Sequence, residues 1–385
     1  MQSTQTIEKS GNTKVGNALR KIFTRAKVLA SSTVLLSDSL LFASTRHTRL
    51  VRTISRVAVG DIVAIDEIEH LEGDDAQRAL DVIQEALDRP LELEATESNS
   101  LISGNERLCN TMIQLSNNSK KVPSSLFLEL EIPDTRERPL RAGACNDVYC
   151  REHHGKRVAL KRILPHIWSI TQAEQCDFYV ACLRWKRLSH PNIVPLYGMA
   201  KGSNSPIFVL PWFERGNIGD YLRRTDVEAD VNQRITWISE IASGLACLHK
   251  NGIYHGGLRR EKVLISDDGV AQLTDAMMTP FQRQRDGEPN IRWVAPELYE
   301  DAHITSFSDV FTFGLLCVTI FTDAVPFPDL APNLAGMRIM KGSQPSQPAT
   351  MPDEIWTLIQ QCFDFDPQRR PSMSYIVTAL HERKT

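Results

Sequence analysis

The chain has 385 residues, a formal net charge of −3, 42% hydrophobic residues and 24% charged residues. These values suit a soluble globular protein of one large or two ordinary domains and exclude a generally basic nucleic-acid binder. Eight cysteines lie scattered, with no C-x-x-C pair and no Cys/His cluster, which argues against a zinc site or a secreted disulfide framework and for a reducing, cytoplasmic setting.

Residues 1–60 carry ten Lys/Arg against Glu8 and Asp38, about +8, and are rich in Ser and Thr. That composition predicts a basic, largely disordered tail. Within it Val15, Leu19, Ile22, Ala26 and Leu29 recur at helical spacing, with Lys14, Arg20, Lys21, Arg25 and Lys27 on other faces. Residues 14–29 read as a basic tail helix, solvated or docked on its own protein. A membrane-peripheral anchor and a mitochondrial presequence are the alternatives. The longest apolar run, near Thr33 to Ala43, is broken by Asp38 and falls well short of the roughly 20 residues of a membrane span.

Residues 61–100 hold thirteen Asp/Glu against Arg78 and Arg89, about −11. The charge reverses, so a new segment begins, and residues 61–130 read as an acidic helical extension. Asp75 is placed to cap a helix whose Ala76, Leu80, Ile83 and Leu87 form one stripe, ended by Pro90. Asn105 is placed to cap a second, with Leu108, Met112 and Leu115 on one face. Neither helix can bury its stripe alone, so they pack on each other, on the rest of the chain or on a protein partner.

From residue 137 the texture changes. Short β-rich runs come first, at Val148–Cys150, Arg157–Arg162 and Pro206–Pro211. Helical patterns follow: Ile235, Ile238, Ala242, Leu245 and Leu248 share one face, and Phe311, Leu315, Leu316 and Ile320 another. The expected class is α+β, with a small β-rich lobe over 137–214 and a larger helical lobe over 215–384.

A series of motifs runs through residues 137–384. They read VALK at Val158–Lys161, HPN at His190–Asn192, LPWFERGN at Leu210–Asn217 and LHKNGIYHGGL at Leu248–Leu258. LTDA at Leu273–Ala276, APEL at Ala295–Leu298, SDVFTFG at Ser308–Gly314 and DPQRRPS at Asp366–Ser372 complete the series. In this order and spacing the segment resembles a protein kinase domain, in the style of the tyrosine-kinase-like group and its fungal members. The resemblance implies a bilobal kinase-like fold, ATP as ligand and magnesium as its usual companion.

Carried over residue by residue, the resemblance also shows departures. The glycine-rich pattern falls on Arg141 to Val148 and keeps only Gly143, which weakens the approach of backbone amides to phosphate. Lys161 matches the lysine that holds the α- and β-phosphates. Its glutamate partner should lie seven residues before Leu188, where the chain has Ala181. Glu174 or Asp177 could substitute; otherwise Lys161 turns to Asp275. Gly257 stands where an aspartate should accept the substrate hydroxyl's proton, and loss of such a base costs about 10²–10⁴ in rate. Lys262 stands where an asparagine should hold a second magnesium, yet an ammonium donates and cannot ligate a cation. Gly256 replaces the arginine that reads an activation-loop phosphate.

Asp275 matches the magnesium-binding aspartate and is the one candidate metal ligand left. Ala276 and Met277 replace the Phe-Gly that follows it, with Trp185 and Met277 able to fill the space. Val148, Ala159 and Leu264 match the residues that sandwich the adenine, Leu210 the residue guarding the back pocket, and Pro211, Trp212 and Phe213 the hinge. Glu297 and Arg370 match a salt bridge of the helical lobe, and Asp309 the brace of the catalytic loop. The expected function is a pseudokinase: a binding or allosteric module that still takes ATP, with magnesium in doubt. The alternative is an active serine/threonine kinase with atypical residues. The expected partners are a nucleotide and proteins engaged through the N-terminal helices or the helical lobe, without nucleic acid, and with a membrane surface as the lesser alternative.

Overall fold

The computed structural model describes residues 38–88, 98–134, 136–143, 146–165, 168, 171–201, 205–224, 230–276, 278, 288–299 and 303–382. The chain divides into two compact units, Met1–Leu128 with Thr171–Arg184, and Glu129–Ile170 with Trp185–Thr385. The basic stripe over residues 14–29 and the Pro90 helix stop lie outside the described residues.

In the first unit, four helices run in succession: α1 (Asp38–Ala58), α2 (Ile62–Glu69), α3 (Gly73–Asp88) and α4 (Ser98–Ser119). Strand β1 (Phe127–Leu128) follows, and most of helix α5 (Gln172–Arg187) belongs with them. Helix α1 falls inside the segment whose composition predicts a disordered tail. The reason is one-sided burial: Val51, Ile54, Val57 and Ala58 recur every three or four residues and are all buried, while the basic residues that dominate a charge count fall largely between them. Asp61 caps α2, accepting from the backbone N–H of Val63 at 3.1 Å and of Ala64 at 3.2 Å. Helix α3 starts at Gly73, two residues before Asp75. Asp75 therefore sits in the first turn, where a carboxylate suits the helix dipole. Helix α4 starts at Ser98, so Asn105 is interior and exposed rather than a cap. Cap preference is a local signal, and it does not by itself stop a helix that has started earlier.

The stripes expected on α3 and α4 do meet. Leu80 and Ile83 share one core with Leu108, Met112 and Leu115, joined by Ile54 and Val57 of α1 and Ile68 of α2. Close approach of α4 to α1 uses Gly104, whose added Cβ would lie 3.2 Å from the Ala58 carbonyl oxygen. Arg107 donates to the same oxygen at 3.0 and 3.1 Å and satisfies a helix-end acceptor. Tyr179 of α5 meets Phe127 edge-on, ring centroids 5.5 Å apart.

The second unit opens with an antiparallel sheet of β2 (Arg141–Ala142), β3 (Asn146–His153), β4 (Lys156–Ile163), β5 (Gly198–Ala200) and β6 (Ile207–Pro211), in the order β5-β6-β4-β3-β2. His154 and Gly155 turn β3 into β4 with φ of 50° and 71°, the left-handed pair of a tight hairpin. The register sets Val148 opposite Lys161 and Ala159 opposite Leu210. Because side chains alternate between faces, Val148, Ala159, Lys161 and Leu210 are set by this register rather than by proximity in sequence.

Helices follow: α6 (Ile218–Leu222), α7 (Val231–Lys250), α8 (Ser306–Thr322), α9 (Pro332–Met340), α10 (Asp353–Gln360) and α11 (Met373–Glu382), with a hairpin of β7 (Val263–Ile265) and β8 (Ala271–Leu273) between α7 and α8. Ile238, Ala242, Leu245 and Leu248 of α7 are fully buried, as their spacing predicts. Helix α8 is buried nearly all round from Ser308 to Phe321, so a single apolar face understates it. A β-rich part followed by a helical part, preceded by N-terminal helices, is the bilobal α+β arrangement expected from the motifs. No described helix is long and apolar enough to cross a membrane.

Candidate functional site

A cleft of about 180 Å³ opens in the second unit. Gly143, Val148, Ala159, Lys161, Leu210, Trp212, Phe213 and Leu264 all line it. The sheet supplies one wall through β3, β4 and β6. Leu264 supplies another from β7, whose backbone is bridged to Asn217. Gly143 donates its N–H to the Asn146 carbonyl at 2.9 Å. An added Cβ at Gly143 would lie only 2.9 Å from that same oxygen, so this tight turn requires glycine.

Lys161 joins the cleft lining to a buried charged cluster whose other members, Lys262 and Asp275, lie just outside that lining. Lys161 and Lys262 both donate to Oδ2 of Asp275. Oδ1 of Asp275 accepts from the Thr274 hydroxyl at 3.3 Å. Asp275 is 2% exposed and Lys262 5%. Burial alone would raise the Asp275 carboxyl, but the two ammoniums hold it well below the usual carboxylate range. Burial pushes the Lys161 ammonium down to about 8. The Asp275 backbone is left-handed, φ 63°, a conformation that Asp tolerates better than most residues.

These residues suit a nucleotide but not a magnesium ion. The apolar slot between Val148, Ala159 and Leu264 suits a planar base, and the lysines suit phosphate. A divalent cation, by contrast, would need carboxylate or amide oxygens. Both Asp275 oxygens are engaged, and position 262 offers an ammonium. No cluster of metal-ligating side chains occurs among the described residues.

The loop leading to Lys262 is braced from below. Asp309 of α8 accepts from the backbone N–H of His255 and of Gly256, both at 2.7 Å, and lies 2.9 Å from Nε2 of His249. Gly257 follows, partly buried, with no side chain to offer a base. Arg370 makes a bidentate pair with Glu297 at 2.7 and 2.8 Å and also donates to the Phe307 and Asp364 carbonyls. Arg292 is fixed on the carbonyls of Pro326, Phe327 and Leu330. Trp185 donates to the Val194 carbonyl at 2.8 Å and tilts against Phe208, while Ala276 is buried. Met277 lies outside the described residues.

Two expected positions fall elsewhere. Ala181 lies on the part of α5 that belongs to the first unit. Glu174, a possible substitute for the missing glutamate, folds back onto the start of its own helix, accepting from the Thr171 N–H at 2.7 Å and hydroxyl at 2.8 Å. Lys161 takes the other expected route, to Asp275.

The cleft also contains residues to which the motif comparison gave no role of their own: Arg141, which stands in place of a glycine, Asn217, Glu261 and Thr274. Arg141 reaches Asp220 at 2.9 Å and lies so close over Gly216 that a Cβ there would sit 2.4 Å from its guanidinium. Asp220 also accepts from Asn217 at 2.7 Å and Arg223 at 2.6 Å. The change from glycine to arginine at 141 was visible in the sequence, but a partner 79 positions away was not.

Comparison with known proteins agrees with this geometry. The family described as protein tyrosine and serine/threonine kinase matches residues 138–380. The chain is 27% identical to tyrosine-protein kinase Fer of Rattus norvegicus over 213 residues, 52% of this chain and 26% of that protein. It is 27% identical to serine/threonine/tyrosine-protein kinase HT1 of Arabidopsis thaliana over 251 residues, 63% of this chain and 64% of that protein. It is also 27% identical to tyrosine-protein kinase SPK-1 of Girardia tigrina over 220 residues, 52% of this chain and 44% of that protein. The chain thus spans less than two thirds of the length of each.

Proposed function

The chain belongs to the protein tyrosine and serine/threonine kinase family, and on that premise we propose a pseudokinase, which holds ATP in its cleft and works by binding rather than by phosphoryl transfer. Val148, Ala159 and Leu264 would enclose the base, the Pro211–Phe213 segment would meet its edge, and Lys161 would reach the phosphates. The observation that carries this reading is the state of Asp275. Its carboxylate is committed to two lysines, and Gly257, at the position that matches the family's base, has no side chain to act as one. Phosphoryl transfer depends on positioning and charge neutralisation, and both the proton acceptor and the metal-holding residue are replaced together. The braced loop and the Glu297–Arg370 pair fit a folded scaffold and are indifferent to turnover. Scattered cysteines favour a cytoplasmic setting, and the N-terminal helices and the helical lobe are the surfaces offered to protein partners.

A second reading, a slow active kinase, draws on one observation: Lys161 and Asp275 are both present and in contact. Positioning alone supplies part of a rate enhancement. Radiolabelled phosphate transfer by the purified full chain, set beside Asp275→Ala, separates the two. The expected result is no transfer above the Asp275→Ala background. Asp275-dependent transfer above that background, even far below the roughly 1–100 per second typical of kinases, would overturn the proposal.

A further inference from the structure

We infer that the cleft takes ATP as the metal-free anion, with the Lys262 ammonium standing where a divalent cation would otherwise neutralise phosphate. This rests on the reading that the cleft holds a nucleotide.

The argument begins with charge. Lys161 and Lys262 bring two positive charges to one carboxylate, so the cluster keeps an excess of one positive charge behind the cleft wall that Lys161 lines. Arg259 is paired to Glu261 at 3.4 Å and leaves this excess unchanged. A positive, largely buried cluster attracts the fully ionised triphosphate more strongly than its magnesium complex, whose charge the metal has partly cancelled.

Geometry points the same way. A cation seeking Asp275 would find Oδ2 taken by two ammoniums and, on Oδ1, would sit next to those same two positive charges. Displacing Lys262 would leave a buried ammonium without its carboxylate and place it beside a second cation. The Lys262 backbone cannot swing aside cheaply, since its N–H bonds the Arg259 carbonyl at 2.9 Å and its carbonyl accepts from Thr274 at 3.0 Å. Phosphate oxygens, in contrast, can share the lysines with Asp275, because each ammonium carries three donors.

The test is calorimetric titration of the full chain with ATP, once in EDTA and once in excess magnesium, repeated with Lys262→Asn and Lys262→Met. The wild type is expected to bind at least as tightly in EDTA as in magnesium. Lys262→Met should weaken binding in EDTA by about tenfold or more, as loss of a charged hydrogen-bond donor does. Lys262→Asn, which supplies an amide oxygen, should make binding magnesium-dependent. Wild-type binding that requires magnesium would overturn the inference and leave the nucleotide-binding reading intact. Absence of ATP binding in both buffers would overturn that reading and the inference with it. Unchanged metal dependence in a folded Lys262→Asn would remove Lys262 from the role assigned to it.

Discussion

Histidine 255 shows how a single buried residue ties this site to the stability of the lobe around it. Its side chain is 1% exposed, its backbone N–H is held by Asp309, and burial pushes the imidazole below its usual 6.5, with Asp309 and Asp275 opposing and Lys262 reinforcing the shift. The native state therefore keeps His255 neutral where the unfolded chain would take up a proton. The sign follows: below about pH 6.5 the unfolded state binds more protons, so stability falls as pH falls, by up to about 1.4 kcal/mol per pH unit from this one group. His255→Phe keeps a ring of similar shape and cannot titrate. Denaturant unfolding at pH 7.5 and 5.5 should show a pH gap smaller by about 1 kcal/mol in the variant than in the wild type. An equal gap in both would show that His255 does not set the acid limb. The residue is legible in the sequence as the first position of the loop motif. Its burial is not, because that depends on α8 folding beneath the loop from 54 positions away.

At the scale of elements, the loop between α7 and β7 is shaped for glycine rather than merely stripped of function. Gly256 has φ 71°, and a Cβ there would meet Ile304 Cδ1 at 2.4 Å. Restoring the family's arginine by Gly256→Arg would place a side chain in a left-handed backbone and against Ile304. The expected cost is roughly 1–3 kcal/mol from backbone strain, with more if Ile304 cannot move, read as a lowered melting temperature without any gain in phosphate transfer. A variant as stable as the wild type would mean that the loop rearranges freely. The contrast with the sheet explains what sequence reading can reach. Val148, Ala159, Lys161 and Leu210 were legible because motif spacing fixes β3, β4 and β6, and strand register then carries the side chains to one cleft. The start of α4 and the whole of α1 were not. Asn105 looks like a cap in a local window although α4 begins at Ser98, and the four-residue stripe of α1 is diluted by Arg46, Arg49, Arg52 and Arg56. The Arg141–Asp220 pair escaped for a third reason, since neither residue belongs to a pattern that names the other.

At the scale of the whole molecule, the division into units cuts across the motif-based domain. Residues 171–184 lie inside the segment matched to the kinase family, yet belong with α1–α4. Their ties within that unit are specific: Tyr179 packs on Phe127, and the Cys176 thiol donates to the Lys120 carbonyl at 3.6 Å. Helix α5 then runs on without a break into Trp185, which is anchored to Val194 in the second unit. Most helical stability comes from packing rather than propensity, and the packing of residues 171–184 lies within the first unit. Deleting residues 1–128 should therefore destabilise what remains. Phe127→Ala, a milder change at a half-buried ring, should cost about 1–3 kcal/mol, discounted from the value for full burial. For chains of this size that corresponds to a drop of several degrees in melting temperature. If the bundle were an independent adaptor, the truncated protein would melt at the temperature of the full chain and Phe127→Ala would be silent. A large loss on truncation with a silent Phe127→Ala would move the linkage away from the Phe127–Tyr179 contact to the other residues of the unit.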